Sequence, residues 1–88
     1  MYGYLVEFFS AIFFVYVVLA TGNPLAIGAA LTLVLLLTRN LSNGYVNPAV
    51  SITMASAGVI QPSDVIPYCV AQIFGGLVAL EIYKRYKM

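Results

Sequence analysis

Hydrophobic residues in this chain come in three long runs without a charge, residues 8–38, 40–63 and 65–80, interrupted only by Arg39 and Asp64 and bounded by Glu7 and Glu81. A chain that crosses a bilayer repeatedly is segmented in this way. The first apolar stretch, residues 4–21, would rise about 27 Å as a helix, close to the hydrocarbon thickness of a membrane. No Lys or Arg precedes it, which argues for a retained span over a cleaved leader. The turn Gly22-Asn23-Pro24 follows, and Pro24 is suited to the first position of a second helix over residues 24–41. A third span is predicted over residues 63–83, where Asp64 favours a helix N-terminus and Pro67 falls early enough for its missing donor to cost little.

Between the second and third spans lies a segment of a different kind. Ser42-Asn43-Gly44-Tyr45-Val46 is dense in turn formers, Asn47 is a good N-cap, Pro48 is a good first helical residue, and Gly58 is a plausible stop. The helix this predicts, residues 48–57, would rise only about 15 Å, half of the hydrocarbon core. It carries no charge and no strongly polar face, which speaks against a helix lying on the membrane surface. The pattern therefore predicts an all-α membrane protein of three transmembrane helices and one re-entrant half-helix, in a single domain over residues 1–88.

Composition sharpens this. The chain has 88 residues, 62% of them hydrophobic, with four Lys or Arg, three Asp or Glu, no His and one Cys. Soluble domains carry several times more charge. A His/Cys metal centre or a Ser/His/Asp apparatus cannot be assembled within one copy, so no metal, cofactor or enzymatic activity is implied. A net charge of +1 offers no footprint for nucleic acid. Cys69, alone among apolar neighbours, reads as a packing residue. Tyr2, Tyr4, Tyr83 and Tyr86 suit the two membrane interfaces, and Phe8, Phe9, Phe13 and Phe14 suit lipid or helix contacts. Arg39 can snorkel to an interface. Ala71, Gly75 and Ala79 recur every four residues beside Gly76, a stripe on which another helix can lie closely, and Gly28 offers the second span a similar approach.

Two polar side chains are expensive where they stand. Glu7 and Gln72 lie inside apolar spans, where an unpaired polar group costs free energy, so each needs a partner. Non-helical backbone at membrane depth supplies partners, because its N–H and C=O groups also need satisfying. Glu7 can accept from such N–H groups, while Gln72 can donate and accept. A half-helix that starts at depth points its positive end and the Asn47 carboxamide at the membrane middle, where water or a small polar solute would satisfy them. The carbonyls from Asn43 to Val46 would line the approach.

These residues resemble a known family. The stretch from Ser42 to Ser51, with Asn47-Pro48-Ala49 intact, is similar to the first signature loop of the major intrinsic proteins, the aquaporins and aquaglyceroporins. Val6-Glu7-Phe8-Phe9-Ser10-Ala11 resembles the family's first-helix glutamate motif. The stretch Tyr68-Cys69-Val70-Ala71-Gln72-Ile73-Phe74-Gly75-Gly76 resembles its third-helix motif. The order and spacing agree across nearly the whole chain. The resemblance implies a pore of two inverted repeats, each of three spans and a half-helix, whose paired asparagines donate to passing water. It covers one such repeat, gives Asn47 that role, and assigns Glu7 and Gln72 to holding the loop.

The departures are chemical. Ile27 takes a place where water-selective members often carry an aromatic, and Val50 stands where the family's second repeat carries an arginine. Tyr45 replaces a common histidine and Arg39 a common glycine. A constriction built from two such repeats should be more apolar, open to water, glycerol-like solutes or dissolved gas. A lone repeat leaves Asn47 facing hydrocarbon, so it needs a partner: a second copy or a complementary half-channel. Antiparallel copies would line both halves of a passage. Arg39 and the α-amine on one side against Lys84, Arg85 and Lys87 on the other give only a small bias in orientation, compatible with insertion both ways. The alternative is a scaffold that keeps the half fold without conducting.

Overall fold

The computed structural model describes residues 2–86. Four α-helices follow one another: α1 over Tyr2–Thr21, α2 over Pro24–Thr38, α3 over Pro48–Ser56 and α4 over Val65–Tyr86, with a 3-10 turn at Pro62–Asp64 leading into α4. No strand occurs among the described residues. The long axis measures 41 Å, the scale of a bilayer with its headgroups.

The helix starts follow from local chemistry. Asn23 adopts an extended conformation and its side chain accepts the backbone N–H groups of Leu25 and Ala26 at 2.9 and 3.0 Å, with Pro24 behind it. Asn47 caps α3 in the same way, accepting from Ala49 N–H at 2.8 Å with Pro48 at the first position. Gly58 stops α3 at φ +80°, a conformation that suits a residue without Cβ. Asp64 sits in the 3-10 turn, where its carboxylate accepts the Tyr4 hydroxyl at 2.6 Å. Tyr4 is thus tied to protein and stacked edge-on to Tyr68 at 5.3 Å, beyond the interfacial anchoring expected of it.

Several boundaries differ from the sequence pattern: α1 begins at Tyr2 rather than at residue 4, α3 ends at Ser56 rather than at residue 57, and α4 runs from Val65 to Tyr86 rather than over 63–83. The second helix ends at Thr38 rather than at residue 41. Leu41 and Ser42 N–H groups turn back onto the Thr38 carbonyl at 2.8 and 2.9 Å, and the chain then leaves the helical path toward Glu7. At 15 residues, α2 rises about 22 Å, less than a full hydrocarbon core. Among the described residues, two helical stretches are individually long and apolar enough to cross, Gly3–Thr21 and Pro62–Tyr86, with mean hydropathies of 2.0 and 1.8.

The central helix is α1, which packs on α4 and on α2, while α3 lies against α4. Tyr4 reaches Asp64, Glu7 reaches Gln72, and Val15 faces Gly76, so α1 and α4 run parallel. Gly75 makes this contact possible: a Cβ there would stand 2.6 Å from the Phe8 carbonyl oxygen and 2.8 Å from Ala11 Cβ. Ala79 is fully buried and Ala71 half-buried on the same side. Gly28 behaves differently. It is exposed, and among the described residues nothing lies within 4 Å of where its Cβ would be.

The distribution of polarity is inverted relative to a soluble protein. Leu5, Phe9, Leu25, Leu36, Ile66 and Phe74 are among the exposed large side chains, whereas Glu7, Ser10, Thr38, Ser42, Ser51 and Gln72 are buried. Apolar outside and polar groups inside is the arrangement lipid imposes. A small core of Ala11, Val34 and Val46, with Phe14 and Leu31 against it, binds the loop before α3 to α1 and α2. Of the basic tail weighed for orientation, Lys84 and Arg85 lie near Glu81 at 3.8 and 3.9 Å on the exposed end of α4, and Lys87 falls outside the described residues.

Candidate functional site

The site is built around a carboxylate that has no access to solvent. Glu7, one turn into α1, is 0% exposed, which excludes snorkelling from the helix end. Its Oε2 accepts the Ser42 hydroxyl at 2.8 Å and the Tyr45 N–H at 3.1 Å. Its Oε1 accepts the Val46 N–H at 2.7 Å and the Gln72 side-chain amide at 2.9 Å. Four donors converge on two oxygens, the full complement a carboxylate can take in such geometry. Buried charge is tolerable on these terms only.

This acceptor shapes the loop. Asn43, Gly44 and Val46 have φ of +72°, +65° and +61°. Gly44 is required twice over, by its φ and by space, since a Cβ would meet Leu35 Cδ2 at 2.8 Å and Thr38 Oγ1 at 3.0 Å. Val46 is a branched residue in a left-handed conformation, which costs on the order of 1–3 kcal/mol and persists only when surroundings over-determine it. Here they do: its N–H is held by Glu7 and its side chain is buried in the Ala11 and Val34 cluster. Tyr45 is also buried, edge-on to Tyr68 at 5.8 Å, and the Tyr68 hydroxyl donates to the Ser42 carbonyl at 3.4 Å.

At the end of the loop the chain delivers Asn47 to the surface of the repeat. Asn47 and Ala49 are exposed, while Pro48 and Val50 are half-buried. The Asn47 Oδ1 is occupied by capping and its carbonyl accepts Ser51 N–H at 3.0 Å, so the carboxamide is fixed in orientation with its Nδ2 outside the cap. Pro48 has no N–H and those of Ala49 and Ser51 are taken, so Val50 N–H and that Nδ2 are the donors left at the helix's positive end. The helix dipole gives this tip a positive potential.

Hydrogen bonds thus bring Glu7, Tyr45, Val46 and Gln72 together, with Asn47 and Ala49 directly following. Asn43 and Gly44 supply the turn, whereas Ile27, half-buried in the first turn of α2, lies outside the network. The side chains of Tyr45 and Val46 are buried and their N–H groups are taken by Glu7, which leaves their carbonyls. Sequence reasoning missed Ser42, Ser51 and Tyr68. The signal was present for Ser42, a small hydroxyl beside Glu7's expected loop partners. Gln72 donates to Ser51 Oγ at 2.8 Å as well as to Glu7, and its own Oε1 is buried without a partner.

The profile of the Major intrinsic protein family matches residues 1–88. The chain belongs to that family. Aquaporin-8 of Notomys alexis is 42% identical over 60 residues, covering 68% of this chain and 23% of the relative. The glycerol uptake facilitator protein-like 6 of Lactiplantibacillus plantarum is 36% identical over 95 aligned positions, covering 98% of this chain and 44% of the relative. Aquaporin Z of Brucella melitensis is 38% identical over 61 residues, covering 69% and 27%. The chain therefore spans less than half the length of these curated relatives. No solved structure gives a significant match. Family membership and the inverted polarity of the helices make this an integral membrane protein.

Proposed function

We propose that this chain is one half of a passive channel for water or small neutral solutes, with its pore completed by a second half-repeat. Residues 4–21, 24–41 and 63–83 cross the membrane, the second crossing using the turn after α2, and α3 enters from one side only. The observation that carries the reading is the exposed Asn47 at the tip of an uncharged half-helix, its carboxamide oriented by its own cap. Exposed to hydrocarbon, that donor set would cost several kcal/mol. Facing a wet passage, it is satisfied by each molecule that passes.

A second copy in antiparallel orientation is the completing half that fits best, because it brings a second Asn47 from the opposite side. An open apolar groove of about 530 Å³ between α1 and α2, lined by Leu5, Phe9, Phe13, Leu33 and Leu37 among others, offers it a contact face. Ile27 and Val50 stand where the constriction would form, and their aliphatic character favours small neutral permeants over charged ones. The names of relatives, aquaporins and a glycerol uptake facilitator, support that substrate class.

The protein reconstituted in liposomes decides it by light scattering after an osmotic step. Shrinkage faster than in empty vesicles, for water or for glycerol, is the expected result. Rates equal to those of empty vesicles would replace the channel with a scaffold that keeps the half fold.

A further inference from the structure

The half-helix that carries Asn47 has little to hold it. Ile52, Thr53, Ser56 and Ala57 on α3 and at its cap are exposed, and the one buried residue of α3 is polar: Ser51, at 0% exposure. Its hydroxyl accepts the Gln72 side-chain amide at 2.8 Å. The same Gln72 nitrogen donates to Glu7 Oε1 at 2.9 Å. One amide group, on a helix packed closely against α1, therefore ties both the loop before Asn47 and the helix after it.

The orientation of this amide is informative. Its oxygen is buried with no donor, a cost of about the size of a lost hydrogen bond. Turning the amide over would set that oxygen against the Glu7 carboxylate and strip Ser51 of its donor. The amide thus stays as it is because two acceptors hold it, one on each side of Asn47. From Ser51 the connection continues by backbone, since its N–H donates to the Asn47 carbonyl at 3.0 Å.

We propose that Ser51 is a positioning residue for solute selection, fixing the depth and rotation of the Asn47 carboxamide through Gln72. Ser51 touches no solute; it sets where the donor that does so stands. The inference rests on the channel reading for its consequence in transport, but not for its structural content.

The test compares the intact protein with Ser51→Ala, which deletes the acceptor, and Ser51→Thr, which retains it. In liposomes, Ser51→Ala should change the ratio of glycerol to water permeability about three- to tenfold, the range of one lost hydrogen bond, and Ser51→Thr should return it toward the starting value. In nanodiscs, the side-chain amide signal of Asn47 in a nitrogen-15 correlation spectrum should shift or broaden in Ser51→Ala and recover in Ser51→Thr. An unmoved Asn47 signal in folded Ser51→Ala, or a Ser51→Thr spectrum no nearer the original than Ser51→Ala, overturns the proposal. If Ser51→Ala does not fold, Ser51→Cys, a weak acceptor of similar size, takes its place under the same criteria. Should the unmodified protein fail to conduct while the Asn47 signal responds as described, the channel reading falls and the positioning role stands.

Discussion

Val46 and Glu7, 39 residues apart in sequence, meet through a 2.7 Å hydrogen bond that fixes a branched residue at a φ of +61°. Strain and its restraint coincide at one atom pair immediately before the half-helix. The direction in which Asn47 leaves the loop is decided there, so the carboxylate acts on the candidate pore from a distance, through backbone.

Glu7→Gln should break this arrangement although it keeps the shape. A carboxamide presents one oxygen where two are used, and its NH2 group would face donors. The expected loss is about 2–4 kcal/mol, as for other buried networks left with unsatisfied groups. Thermal unfolding in a mild detergent measures it, and a melting temperature unchanged from the original would contradict the role assigned to Glu7.

Asn47→Asp separates capping from conduction. The carboxylate retains the oxygen that accepts Ala49 N–H, so the helix content by circular dichroism should be unaltered. The donor is lost and a charge is introduced at the tip, so water or glycerol permeation should fall by about tenfold or more. Osmotic shrinkage of vesicles reads this directly.

Glycine substitutions should divide by place. Gly75→Ala puts a Cβ against the Phe8 carbonyl, a backbone atom that cannot step aside, and should cost about 1–3 kcal/mol. Gly28→Ala meets nothing within 4 Å and should be neutral or stabilising by about 1 kcal/mol through helix propensity. Equal losses at both sites in denaturation would mean that Gly28 is also a contact.

Tyr4→Phe should loosen the entry to α4. It keeps the ring that meets Tyr68 but removes the 2.6 Å bond to Asp64, the tie between the start of α1 and the 3-10 turn. Amide exchange at Ser63 and Asp64 should quicken, while Val46 and Ser51 remain protected. Exchange accelerated equally throughout α3 would show that the turn and the half-helix open as one unit.

How much of this could be read from sequence depends on the range of the cause. Asn47 and Pro48 open α3 by chemistry contained within three residues, so the helix start was legible. The need of Glu7 and Gln72 for partners was legible too, because lipid offers none. The end of α2 was not. Thr38 is followed by residues that could continue a helix, and what diverts them is a carboxylate far away in sequence. Ser51 escaped notice for a related reason: a serine in a short helix looks unremarkable until the Gln72 amide is found against it. Asp64 looked like a cap, and only the approach of α1 reveals that it takes the Tyr4 hydroxyl.

The pairing of Glu7 with Gln72 across 65 positions also bears on biogenesis. During synthesis from the N-terminus, α1 emerges ahead of the loop and of α4, which carry its carboxylate's four donors. Until the loop and α4 arrive, this helix has strong reason to linger in the aqueous gate of the insertion machinery. An unpaired carboxyl is costly in lipid, so the acid that organises the site favours release of α1 only together with the elements that satisfy it.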